Sequence, residues 1–161
     1  TNGMLEHTIV VMAGDHGEEF FEKGYLGHNS SFVQEQVLTP LAIHLPGVPP
    51  MVYEKMSAHV DIAPMLAPYF GVENPSHEFS VGLNLLAPGT PERTYTLITD
   101  WDKVVFASSK FKTTLPVSSM GAIKQRLTDG EDRPLPSTAP FYSEMRSELF
   151  KIQRDLSRFA Q

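Results

Sequence analysis

Thr8 to Met12 is an unbroken apolar and β-branched run that stops at Ala13-Gly14 and delivers Asp15, His16 and Gly17 directly behind it. A short run without polar alternation reads as a strand buried on both faces, the pattern of a parallel sheet. Residues just past the carboxyl end of such a strand lie where open α/β sheets place their ligands. This junction points to an α/β fold with its chemistry in the loop from Gly14 to Gly17.

Inside a strand, adjacent side chains point to opposite faces, so Asp15 and His16 could not both reach one ion there. In a loop they can. A carboxylate oxygen beside an imidazole nitrogen suits a borderline divalent cation such as zinc or manganese, whereas calcium calls for oxygens only. Gly14 and Gly17 give the turn its backbone freedom and leave room for a ligand. Glu18 and Glu19 add negative charge able to orient ligands from behind. His28, within Gly27-His28-Asn29, supplies a second imidazole in a glycine-bearing loop. The competing reading is that Asp-His-Gly after a strand is only a turn, and two ligands do not close a site.

The blocks TIVVMAGDHGEE, GHN, LTPLAIHLPG and SAHVDIAPMLAPYFGV, in this order, resemble the C-terminal half of a sulfatase-type hydrolase of the alkaline phosphatase superfamily. GHNSSF, TPLAIHLPG and HVDIAP are most similar to the inner-membrane sulfatase-like proteins of Gram-negative bacteria, the YejM or PbgA type. The resemblance implies that Asp15 and His16 ligate a divalent metal (zinc, manganese or magnesium) and that His28 acts on the substrate anion, as a catalytic residue, or helps hold a second metal. It also implies an early acidic ligand and a Thr, Ser or formylglycine nucleophile, neither of which is identifiable in this chain. With no cysteine the chain cannot carry a formylglycine. By this reading the chain is a piece of a longer protein. Its absent N-terminal part would hold the membrane helices, and the whole would face the periplasm from the inner membrane.

Two functions follow as expectations. One is a metal-dependent hydrolase acting on a sulfate or phosphate ester, with the nucleophile supplied from elsewhere. The other is a catalytically reduced periplasmic module that binds lipid, cardiolipin or lipopolysaccharide, and regulates envelope assembly. The chain by itself, its parallel strands lacking neighbours, is expected to self-associate.

The 161 residues, 41% hydrophobic and 20% charged, suffice for a real core. A net charge of −6 with no basic stripe argues against nucleic acid as a partner. No apolar run approaches the roughly 20 residues of a membrane span.

Along the chain, Phe20, Phe21, Tyr25 and Leu26 form a mixed apolar segment that could wall the pocket, with packing the preferred reading for the aromatics. Ser30 to Val37 suggests a helical turn, and Leu41 to Leu45 a second buried-type strand ended by Pro46-Gly47. His44, inside that strand, reads as a satisfied core or edge histidine. Asp61 reads as the N-cap of a helix with Pro64 in its first turn, an apolar face of Met65, Leu66, Tyr69 and Phe70, and Gly71 as its stop. Pro68 should kink or shorten that helix. His59 and Asp61 together suggest a second metal site, although capping alone accounts for Asp61. Val81 to Leu86 reads as a structural return segment, and Ala87 to Glu92 as a linker.

Beyond the linker the pattern becomes β-rich: Thr94–Thr99, Lys103–Ala107 and Lys110–Thr114 form a predicted antiparallel meander, with Ile123–Leu127 as a fourth strand. Met145, Leu149, Ile152, Leu156 and Phe159 recur at helical spacing and predict a terminal amphipathic helix, reaching Ala160, packed on the small sheet. The expected division is 1–90, the C-terminal part of a sulfatase-like α/β core, and 91–161, a small antiparallel subdomain with a C-terminal helix.

Overall fold

The structure is a computed structural model, and it describes residues 3–28, 31–100, 103–116 and 126–136, together with 148 and 150. The TIVVM run yields strand β1 (Val10–Ala13), and the predicted second strand is β4 (Leu41–His44). Between them lie the short hairpin strands β2 (Glu19–Phe20) and β3 (Leu26–Gly27) and a single helical turn, α1 (Gln34–Val37).

β1 and β4 pair with each other antiparallel, Val10 opposite His44 and Ala13 opposite Leu41. The parallel pairing read from the apolar run does not occur among the described residues, where every strand pair is antiparallel. An apolar run reports burial and carries no information on strand direction. Nor are these strands covered within this chain: Met12 is 68% and Leu41 38% exposed. His44 sits at this edge with Nε2 2.9 Å from the Leu5 carbonyl, as expected of a satisfied edge histidine.

The predicted helix forms as α2 (Ile62–Leu66) and then tightens into a 3-10 turn over Ala67–Phe70, ended by Gly71 at φ 78. Pro68, with no N–H to offer the Pro64 carbonyl, accounts for the change at this point. Its apolar face is narrower than expected. Pro64 and Met65 are buried, whereas Tyr69 and Phe70 are exposed because the 3-10 turn rotates them off the buried stripe.

The meander is present as β5 (Tyr95–Thr99), β6 (Lys103–Ser108), β7 (Phe111–Pro116) and β8 (Leu127–Asp129), in that spatial order. The fourth strand begins at Leu127 rather than ending there, within the described residues. Val105, Phe106, Ala107, Phe111 and Leu127 are buried, and since Val105 to Ala107 are consecutive the sheet is covered on both faces at β6. Tyr95 and Phe111 each lie diagonal to Phe106 across a neighbouring strand, with ring centroids 5.2 and 5.4 Å away. Such diagonal aromatic pairs add about 0.5–1.5 kcal/mol each beyond area burial.

The sheet meets the α1 region through polar contacts. Lys112 is paired with Asp132, both nearly buried, and its Nζ donates to the Phe32 carbonyl at 3.1 Å. The Gln34 N–H donates to Asp132 Oδ2 at 2.9 Å, and Arg126 donates to the Tyr25 hydroxyl at 3.1 Å. Among the described residues no helix is long and apolar enough to cross a membrane. Trp101 and the terminal helix predicted to reach Ala160 fall outside the described residues, apart from 148 and 150.

Candidate metal centre

The loop behind β1 is clamped by main-chain bonds. Gly14 N–H donates to the Pro40 carbonyl at 3.1 Å and Gly17 N–H to the Gln36 carbonyl at 2.8 Å. A Cβ on Gly17 would collide with the Glu35 carbonyl, so glycine is required there for close approach. The loop is thereby pressed onto α1, and the side chains of Asp15 and His16 project outward, both exposed.

Asp15 Oδ2 and His16 Nε2 are 3.7 Å apart. Two donors about 2.1 Å from one tetrahedral ion would be separated by about 3.4 Å, so this spacing suits a single small cation. Asp15 Oδ1 accepts the His16 N–H at 3.0 Å. Backbone hydrogen bonds from Asp15 and His16, followed by the nearby His16 ring, hold the Asp15 carboxyl below its ordinary value of 3.8. It is therefore an anion throughout the neutral range, as a ligand needs to be.

The second imidazole arrives on the β2–β3 hairpin. Glu19 organises that hairpin: fully buried, it accepts the N–H groups of Lys23 at 2.7 Å and Tyr25 at 3.1 Å, and a bond from Gln36 Nε2 at 3.3 Å. Its neighbour Glu18 points the other way and accepts from His28 Nδ1 at 2.9 Å. The His28 ring stacks on His16 with centroids 3.9 Å apart. A carbonyl accepts and never donates, so His16 Nδ1, 2.9 Å from the Gly17 carbonyl, carries the proton and leaves Nε2 with its lone pair. The Glu18 carboxylate sets His28 the same way. His16, Glu18 and His28 each offer a donor atom within 4.8 Å of the other two.

His16 thus lies beside Asp15 and also within the His16–Glu18–His28 group, in which Glu18 holds the His28 ring at Nδ1. Glu19, read from sequence as an orienting charge, does its work in the hairpin. Asp61 does not belong to a second metal site. It is fully buried, paired with Arg93, and accepts the N–H groups of Ala58 and Leu83, each at 2.8 Å. Although it immediately precedes α2, its side chain reaches back to Ala58 rather than capping the helix. Gly82, in the return segment, packs against the Val60 carbonyl with no space for a side chain. Phe20, Phe21 and Leu26, expected to pack, are 62–69% exposed, because a hairpin with two-residue strands has no inner face to bury them. The contact of His59 with the Gly14 carbonyl, at 2.7 Å, had no signal in the sequence.

Three comparisons bear on this arrangement. Residues 1–72 match the family model described as Sulfatase. An uncharacterized protein of Haemophilus influenzae is 30% identical over 82 residues, which is 50% of this chain and 14% of that protein. A Bacteroides thetaiotaomicron protein, provisionally assigned as a sulfatase, superposes with a TM-score of 0.60 at 21% identity, covering 92% of this chain and 35% of its own. A protein solved with its substrate D-glucosamine-2-N,6-O-disulfate superposes with a TM-score of 0.66 at 17% identity, covering 98% of this chain and 36% of its own. The chain therefore spans about a third of the length of these solved structures. Its fold resembles the corresponding third of these solved structures, and its first 72 residues match the Sulfatase family model.

Proposed function

We propose that the protein containing this chain is a metal-dependent hydrolase of sulfate or phosphate esters and that the chain supplies one wall of its active site. The observation that carries this reading is His16 behind β1, with Asp15 3.7 Å from it on one side and Glu18 and His28 grouped with it on the other. Asp15 and His16 hold a divalent ion, zinc, manganese or magnesium. Such an ion, when bound, polarises the ester oxygen and lowers the pKa of an attacking hydroxyl. Glu18 holds His28 at Nδ1 and leaves Nε2 for the reacting group; in the imidazolium form Nε2–H donates to the developing negative charge or to the leaving oxygen. The match to the Sulfatase family, and a structural neighbour whose substrate is a sulfated glucosamine, make sulfate esters the first class to test.

Exposed Phe20, Phe21 and Leu26 beside the site favour a second reading, a lipid- or lipopolysaccharide-binding module with reduced catalysis. The deciding experiment is hydrolysis of aryl sulfate and aryl phosphate esters by the intact protein, with metal content measured on the same sample and Asp15→Ala as control. The expected result is metal-dependent turnover lost in the variant. Stoichiometric metal retained by Asp15→Ala would sink the metal assignment, and bound metal without turnover would shift the reading to the binding module.

A further inference from the structure

His59 opens a 3-10 turn, His59–Asp61, that is fixed from below. Asp61 is fully buried in its pairing with Arg93, whose Nε donates at 3.1 Å, and it also ties down Ala58 and Leu83. Gly82 closes on the Val60 carbonyl from the other side. The turn therefore presents the imidazole of His59 from a rigid base, and that imidazole meets the loop behind β1. His59 Nε2 lies 2.7 Å from the Gly14 carbonyl oxygen and 3.5 Å from Thr39 Oγ1. Because the carbonyl only accepts, Nε2 carries the proton and donates it.

The Gly14 carbonyl belongs to the planar peptide unit whose nitrogen is that of Asp15. Gripping this oxygen sets the rotation of the unit from which the Asp15 side chain departs. The Gly14 and Gly17 N–H groups hold the loop on the Pro40 and Gln36 carbonyls, and His59 adds a third hold at the Gly14 oxygen. We propose that His59 is a positioning residue for the candidate metal centre: its Nε2–H locks the Gly14–Asp15 peptide so that Asp15 and His16 face one ion. This rests on the reading that Asp15 and His16 hold a divalent cation. It adds a route by which the Asp61–Arg93 pair stabilises that site without touching it.

The test is calorimetric titration of Mn2+ alone into the metal-free intact protein and its His59→Ala, His59→Gln and Asp15→Ala variants. Amide exchange at Gly14 and Gly17 is followed in parallel on the metal-free proteins. Loss of the grip should weaken Mn2+ binding about tenfold in His59→Ala, as for other groups that orient metal ligands from behind. Exchange at Gly14 and Gly17 should quicken. His59→Gln, whose amide N–H reaches a similar position, should restore most of both. Wild-type Mn2+ affinity in His59→Ala, with or without faster exchange, overturns the positioning role while leaving the site reading intact provided Asp15→Ala abolishes binding. Undiminished binding by Asp15→Ala overturns the site reading and the inference with it.

Discussion

Gly17 has no room for a side chain, and this makes it the most informative single position in the loop. Its amide donates to Gln36 while the space beyond its Cα is filled by the Glu35 carbonyl. Gly17→Ala must therefore push the loop off α1, at a cost of about 1–3 kcal/mol, the range for inserting a methyl group into a filled space. A lowered urea midpoint, together with weaker Mn2+ binding, is the expected outcome. A variant that keeps both wild-type values would show that the loop moves freely on α1. The place of Asp15 in a loop directly behind a strand was legible from the apolar run and the glycines that follow it. The grip of His59 was not, because it joins positions far apart in the chain through a main-chain oxygen that has no side-chain signature.

At the scale of elements, the β2–β3 hairpin is too short to hold itself together, with only Glu19 opposite Gly27 and Phe20 opposite Leu26. Glu19 compensates by accepting two backbone N–H groups of the turn from a fully buried position. Glu19→Ala would leave those donors without their acceptor, at a cost of about 1–3 kcal/mol for a buried unsatisfied group. Faster amide exchange at Lys23 and Tyr25 should follow, and His28 should lose its place beside His16. Unchanged protection at both amides would refute this account of the hairpin. The elements most visible in the sequence were those with a local cause: the meander from β-rich segments parted by short turns, the shortened helix from Pro68, the stop from Gly71. Strand direction at β1 and β4 was not visible, because pairing sense depends on which segment lies alongside. The exposure of Phe20, Phe21 and Leu26 was equally hidden, since an aromatic residue in a sequence carries no statement about how wide its element will be.

Across the whole molecule, the β5–β8 sheet is joined to the α1 region by charge and hydrogen bonds as much as by apolar packing. Lys112 stands between Asp132 and the Phe32 carbonyl, and Asp132 in turn holds the Gln34 N–H. Lys112→Met strands the buried Asp132 carboxylate and should cost about 3–5 kcal/mol, whereas adding Asp132→Asn should recover part of that loss. Urea denaturation of the single and double variants measures both. An additive double variant would mean that the pair is not coupled. The clamps on the loop behind β1 are of another kind: Gly14 and Gly17 bond to the carbonyls of Pro40 and Gln36, which every amino acid at those positions would present. Drift in the side chains of that supporting segment leaves these two carbonyls in place, so the clamps tolerate substitution there, whereas Gly17 and His59 have no such latitude.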